Sequence, residues 1–270
     1  MLSQKNNAIK LRAYAKLNLS LKIIGKRSDG YHDIDSIMQS ISLHDEVDIN
    51  IIESGIKIHC SIPGIENNTA QKAAGLLLAE AKIKTGVNIQ IKKNIPISAG
   101  LGGGSADAAA TLIGLNKLFD LNLHKDILLE IGAKIGSDVP FCLVGGTAKC
   151  RGKGEIVEKI NPQTGSVFML VIPKIEVSTK AVYDKYDQVD IGPSENALEK
   201  AAVILFPEIG KIKESLNRAT GQTWKMSGSG PTLYLELRDL SEAEKYTDAV
   251  SSLNAIHHVV KRTDIGVELF

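Results

Sequence analysis

The feature that most narrows what this chain can fold into lies near its middle. In "NIPISAGLGGGSADAAATLIGLN", Asn94 to Asn116, glycines 100, 102, 103 and 104 stand directly before an alanine-rich run. Glycine in quantity lets the backbone approach a neighbour closely, and alanine is the strongest helix former. The pattern therefore predicts a loop that feeds straight into a helix, with Ser105 as its N-cap. A helix start presents unpaired N–H groups and partial positive charge, which suits an anion and above all a phosphate. No Lys-Ser/Thr follows the last glycine, and the run lacks the G-x-G-x-x-G frame. A Walker A loop and the dinucleotide fingerprint are thereby excluded. On this segment alone, an ordinary loop before an ordinary helix stays open.

A chain of 270 residues is long for one compact core, so one large or two smaller domains are expected. Hydrophobic residues make up 43% and charged residues 23%, the balance of a soluble globular protein. Net charge is +1 and aromatic content 4%, which argues against a nucleic-acid partner. No apolar run reaches the length of a membrane span, and the first twenty residues lack a signal-peptide core, so a cytoplasmic protein is expected. Cys60, Cys142 and Cys150 are far apart and form no metal-type pair; buried free thiols are the reading.

Along the chain, "LNLSLKI" alternates Leu17, Leu19, Leu21 and Ile23 with Lys16, Asn18, Ser20 and Lys22, the period of a strand. This places Lys16 and Asn18 together on the face opposite the leucines. A turn over "GKRSDGYH" follows, then two alternating segments predicted to pair around Ser54-Gly55. "NTAQKAAGLLLAEAKIKTG" has helical spacing, with Asn68 as N-cap and Gly86 as stop. "VNIQIKKNIP" is a strand. After "KDILLEIGAKIG", a helix, Pro140 opens a series of strands with Asp138 fixed just ahead of it. Beyond Ser166 the elements run strand, helices, strand, strand, helix, strand, the split order of a ferredoxin-like unit. "NPQTG", Asn161 to Gly165, is the expected linker between domains 1–160 and 166–270. The fold class is α+β with two domains.

Four stretches, "AKLNLSLKIIGKRSDGYHDI", "PISAGLGGGSADAAA", "IGSDVPFCLVGGTAKCRGKGE" and "MSGSGPTLYLEL", together resemble the GHMP family of small-molecule kinases over essentially the whole chain. The resemblance implies an N-terminal ribosomal-S5-like α/β domain and a C-terminal ferredoxin-like domain. It also implies ATP and Mg²⁺ as cofactors and a small-molecule substrate, with a monomer or weak homodimer as the working unit. "DGYH" after the lysine-asparagine strand points to the branch that acts on a cytidyl-bearing sugar-alcohol phosphate. Such a substrate gives a stacking ring something to hold; homoserine or mevalonate would not. A non-catalytic nucleotide sensor of the same fold is the other alternative.

Residue by residue, the resemblance makes Asp138 the base near the substrate hydroxyl and Lys16 its electrostatic partner. Asn18, Tyr31, His32, Thr179 and Tyr183 are implied to bind substrate, with Tyr31 and Tyr183 against the cytosine ring and His32 hydrogen-bonding to it. Asn68, Lys93, Gly100, Leu101, Gly102, Gly103, Gly104, Ser105 and Asp107 are implied to bind the nucleotide, and Ser105 also neighbours the metal. Two departures stand out: Ala197 where relatives often carry Asp, and Asp107 where some carry Asn.

Overall fold

In a computed structural model, residues 7–63, 68–162, 167–190, 192 and 194–270 are described. The first sheet is built on two long strands, β1 (Ala8–Lys26) and β2 (His32–Ile52), joined by the Arg27–Tyr31 turn, where Gly30 is left-handed. β3 (Ile56–Cys60) does not pair with β2 as the alternation around Ser54-Gly55 suggests. Helix α1 (Thr69–Glu80) returns the chain, and β4 (Gly86–Lys92) inserts between them, antiparallel to β2 and parallel to β3. A helical crossover is what a parallel pair requires. Gly86 makes the insertion sterically feasible, since a Cβ there would lie 2.2 Å from the Ser54 carbonyl carbon. It is therefore not the helix stop; α1 ends at Ala81, followed by left-handed Lys82.

Helix α2 (Gly103–Leu118) packs its alanines against this sheet, followed by α3 (Lys125–Ile135) and α4 (Val139–Val144). The sequence had "PFCLV" as a strand. Pro140 instead sits in the first turn of α4, where proline's preset φ helps and no N–H is missed. β5 (Thr147–Gly152) pairs with the first half of β2, and β6 (Ile156–Lys159) pairs with β5. Cys142 and Cys150 are buried, while Cys60 is half-buried. Burial pushes both buried thiols up, Cys150 to about 12, so they stay protonated and inert.

The expected linker lies partly outside the described residues. Beyond it come β7 (Val167–Pro173), α5 (Thr179–Tyr186), α6 (Glu199–Leu205) and α7 (Pro207–Thr220), then β8 (Lys225–Met226) and β9 (Leu233–Leu237). The short helices α8 (Leu240–Glu244) and α9 (Thr247–Ser251) lead to β10 (Ala255–Lys261). The strand order β10-β7-β9-β8 is that of a ferredoxin-like sheet. Its core gathers Trp224, Val171, Leu233 and Ala201, and Ala197 packs into it, with its N–H on the Leu21 carbonyl.

The chain does not end in this second sheet. β11 (Val267–Leu269) crosses back and pairs antiparallel with β1. It passes through a slot that glycines alone fit: a Cβ on Gly145 would lie 1.9 Å from Gly266 N, and one on Gly266 would lie 1.8 Å from Cys142 O. Glu268 then accepts from Arg12 at 3.0 Å and from Tyr14 at 2.6 Å. No helix among the described residues is long and apolar enough to cross a membrane.

Candidate active site

The β1–β2 ladder slips between Tyr14 and Lys16 and again between Asn18 and Ser20. These bulges re-aim the strand where the two halves of the chain meet. Lys16 and Asn18, on a face the alternation leaves to solvent, are 5% and 3% exposed. Two glycine turns cover them. Lys16 N donates to Leu101 O at 2.9 Å, and left-handed Gly102 lies so close that a Cβ would approach Lys16 Cγ to 2.9 Å. From the other half, Asn18 N donates to Ser227 Oγ at 3.1 Å, and Thr232 Oγ1 donates to Ala99 O at 2.6 Å.

Inside this clasp, Lys16 Nζ donates to Asn18 Oδ1 at 2.6 Å and lies 3.4 Å from Asp138 Oδ2. Asn18 Nδ2 donates to Ser36 Oγ at 2.9 Å, so Asn18 is itself anchored. Asp138 stands at the N-cap of α4 with no side-chain capping bond, leaving its carboxylate directed to the cleft.

The glycine run meets the helix three residues earlier than expected. Gly102, at φ 71°, is the N-cap of α2, and Ser105 lies inside the first turn with its hydroxyl facing the cleft. A left-handed glycine reverses the chain at once, so the serine is not needed as a cap. With no side chain capping α2, its first N–H groups stay available to an anion. Leu101 turns its side chain into the core, so only its backbone can face a ligand. Asn68 caps α1 through Ala70 N at 2.9 Å.

Lys93 is not free at the cleft wall. Its Nζ is enclosed by Asp45 Oδ2 at 2.5 Å and Asp107 Oδ2 at 2.7 Å, directly beneath Gly103. Asp45 was unmarked in the sequence reading. It is fully buried and its second oxygen accepts from Asn94 N and Ile95 N at 2.6 and 2.8 Å. Nothing in the sequence marks it, since Glu46 and Asp48 stand beside it on the same strand. Asp107 is buried, with Oδ1 unpartnered. Desolvation outweighs Lys93, and with Asp45 nearby it raises the Asp107 carboxyl to about 7.

The folded state thus holds a proton on Asp107 that the unfolded chain releases near pH 4. Stability should be highest below that pH and fall as pH rises from about 4 to 7 on account of this group. Asp107→Asn should flatten that part of the profile. Urea midpoints at pH 5, 6, 7 and 8 measure it, and identical slopes in both proteins would refute it.

At the other end, His32 is buried and its Nε2 lies 2.7 Å from Asp187 Oδ1. The ring stacks on Tyr183 at 5.0 Å and 27°, and meets the edge of Tyr186. Asp187, also unmarked by sequence, accepts from Lys26 at 2.6 Å as well. Burial and the charge of Asp138 raise the Tyr183 phenol, keeping it neutral. Thr179 shares a 2.9 Å hydroxyl contact with Ser229. Tyr31 is 56% exposed, with the Lys153 ammonium 4.7 Å from its ring centroid.

One cleft of about 440 Å³ between the two halves joins these groups. It brings together Lys16, Asn18, Asn68, Lys93, the Gly100–Ser105 loop, Asp107, Asp138, Thr179 and Tyr183. Tyr31 and His32 stand beside it, His32 behind the Tyr183 ring and Tyr31 behind Lys153.

The pattern for "GHMP kinases N terminal domain" matches residues 68–146, and that for "GHMP kinases C terminal" matches 187–255. A 4-diphosphocytidyl-2-C-methyl-D-erythritol kinase of Clostridium acetobutylicum is 42% identical over 261 residues, covering 87% of this chain and 93% of that protein. This chain belongs to the GHMP kinase family. As a GHMP kinase it is a small-molecule kinase, which sets aside the non-catalytic sensor. A solved 4-(cytidine 5'-diphospho)-2C-methyl-D-erythritol kinase superposes with TM-score 0.78 at 31% identity, over 94% of this GHMP kinase and 99% of that chain. Homoserine kinase from Cytophaga hutchinsonii superposes at 0.80 with 19% identity, covering 100% and 99%, a likeness of fold alone.

Proposed function

We propose that this kinase transfers a phosphoryl group from ATP to the 2-hydroxyl of 4-diphosphocytidyl-2-C-methyl-D-erythritol, in the non-mevalonate isoprenoid pathway. The observation that carries this reading is the cleft with the Lys16–Asp138 pair within it and the Tyr183 ring, backed by His32, on its wall. Relatives at about 42% identity bear that name. A small alcohol without a base leaves the aromatic end with nothing to hold.

The residues fit a nucleotide. A left-handed glycine cradle and an uncapped helix start suit polyphosphate. Ser105 Oγ, at the cleft and without a hydrogen bond among the described residues, suits one oxygen ligand of Mg²⁺. No group of three acidic, His or Cys side chains among the described residues is arranged to hold a metal ion, so phosphate oxygens would supply other ligands. ATP, when bound, supplies the electrophilic phosphoryl group. Asp138 accepts the proton of the attacking hydroxyl at its carboxylate. Lys16, held by Asn18, neutralises the oxygen as its charge develops, and its burial strengthens that field.

A coupled ADP-release assay offering the cytidyl substrate, homoserine and mevalonate tests the reading; turnover of either small alcohol in preference to the cytidyl compound sinks it. For the base end, Tyr31→Ala should cost about 1–3 kcal/mol of cytidine diphosphate binding, the range for base–aromatic stacking, and Tyr31→Phe almost none. Calorimetric titration decides, and equal binding by Tyr31→Ala would move the base elsewhere.

A further inference from the structure

We infer that Asn196 is a positioning residue for phosphoryl transfer, holding the turn over residues 227–229 against the Lys16–Asn18 pair. The inference rests on the roles proposed above for Lys16 and Asn18, and it is independent of which alcohol is phosphorylated. Asn196 stands just ahead of α6, in the "NALE" segment where Ala197 departs from relatives. It is 8% exposed and lies outside the set of described residues that line the cleft. Its main chain is clipped to β1 from both sides. Leu21 N donates to Glu195 O and Ala197 N donates to Leu21 O, each at 2.8 Å. Leu21 lies a short way beyond Asn18 on the same strand. The anchor of Asn196 thus belongs to the first half of the chain, while its side chain acts in the second.

A carboxamide offers two N–H donors and one acceptor oxygen. Both donors go to a single turn: Asn196 Nδ2 donates to Met226 O at 2.9 Å and to Gly228 O at 2.8 Å. Its Oδ1 accepts from Leu198 N at 3.1 Å, which fixes the plane of the amide. Between the two held carbonyls, Ser227 Oγ accepts from Asn18 N. Gly228 is left-handed, at φ 56°, and rests so near the pair that a Cβ would lie 2.8 Å from Asn18 Oδ1. That oxygen is the one that accepts from Lys16 Nζ, from which the same Cβ would lie 3.7 Å. A chain of contacts therefore runs from Asn196 through the turn to Asn18, then to Lys16 and its partner Asp138. Without Asn196 the two carbonyls lose this donor in a buried place, and the turn is no longer tied through it to β1. Transfer is sensitive to such a release. A misplacement of about 1 Å that starts away from the chemistry can cost roughly 100-fold in rate.

The test is a double-mutant cycle on kcat: Asn196→Ala, Asn18→Ala and the double variant, assayed by ADP release on the alcohol that wild type accepts. Asn196→Ala should lower kcat by about 10- to 100-fold, with KM for ATP kept within about twofold. In the Asn18→Ala background the same change should cost less than about twofold, because the residue acts through Asn18. Asn196→Ser keeps one donor and should recover part of the rate. If Asn196→Ala melts below the assay temperature, Asn196→Ser carries the same cycle. Titration with a non-hydrolysable ATP analogue gives the folded fraction, so that kcat is counted per folded molecule. A loss that multiplies with that of Asn18→Ala overturns the inference, as does a kcat within about twofold of wild type. Either result would leave Asn196 as a stabiliser of the second half only. If Asn18→Ala and Lys16→Met both keep wild-type turnover, the proposed reading of the reacting centre fails, an outcome that the Asn196 variants by themselves do not produce.

Discussion

Asp138→Asn should lower kcat by roughly 10²- to 10⁴-fold, the span of a lost general base, with little change in melting temperature. The structure separates these two effects. The carboxylate is 3.4 Å from Lys16 Nζ, with the Asp138 side chain 28% exposed, so it faces the cleft rather than the core. It makes no capping bond to α4, and the main-chain bond from Cys142 N to Asp138 O survives the change. Asparagine fills the same volume but cannot take a proton. ADP release measures the rate and a circular-dichroism melt the fold. Near-wild-type turnover with a normal melt removes Asp138 from the role of base. A melt that loses its cooperativity would mean that the carboxylate is structural.

Asp45→Ala should destabilise the protein more than any other single change at the site. The residue is fully buried, holds Lys93 and accepts two main-chain N–H groups. Removing it leaves the buried Lys93 ammonium with Asp107 alone and strands two main-chain donors. Breaking a buried pair costs about 3–5 kcal/mol. For a protein of this size that corresponds to a fall of roughly 6–20 °C in Tm. Asp45→Asn keeps an oxygen for the N–H groups and should fall in between. A scanning-calorimetry shift below about 2 °C for Asp45→Ala would show that the enclosure of Lys93 adds nothing to stability.

Much of the frame was legible because it is local. The glycine run before alanines, the Asn68 cap and the strand-helix-strand order of the second half each depend on neighbours in sequence, and each formed. Elements decided by distant contacts were not legible. The alternation in "DEVDINII" and "GIKIHC" is equally compatible with a hairpin or with a strand inserted between them, and Gly86 settles it only once the backbones meet. "PFCLV" has the apolar character of a buried strand, and length alone cannot tell that from a buried helical turn. Lys16 and Asn18 look solvated on a strand viewed by itself; they are buried because turns at Gly102 and Ser227 close over them. Asp45 and Asp187 matter through partners 48 and 155 residues away, and sequence spacing carries no trace of either.

The return of β11 to β1 has a bearing on how the protein is made. Leu11 pairs with Leu269, so a segment of β1 waits for a partner made 258 residues later. Until then β1 carries an open edge, and the slot between Gly145 and Cys142 stands empty. The second half must be synthesised, and must reach the first sheet through β10, before Gly266 can enter that slot. The two halves are thus tied by topology as well as by the shared cleft, and the N-terminal half finished alone would lack one strand of its own sheet. A nascent chain stalled short of Val267 should remain open to proteases along β1, while the released chain should not.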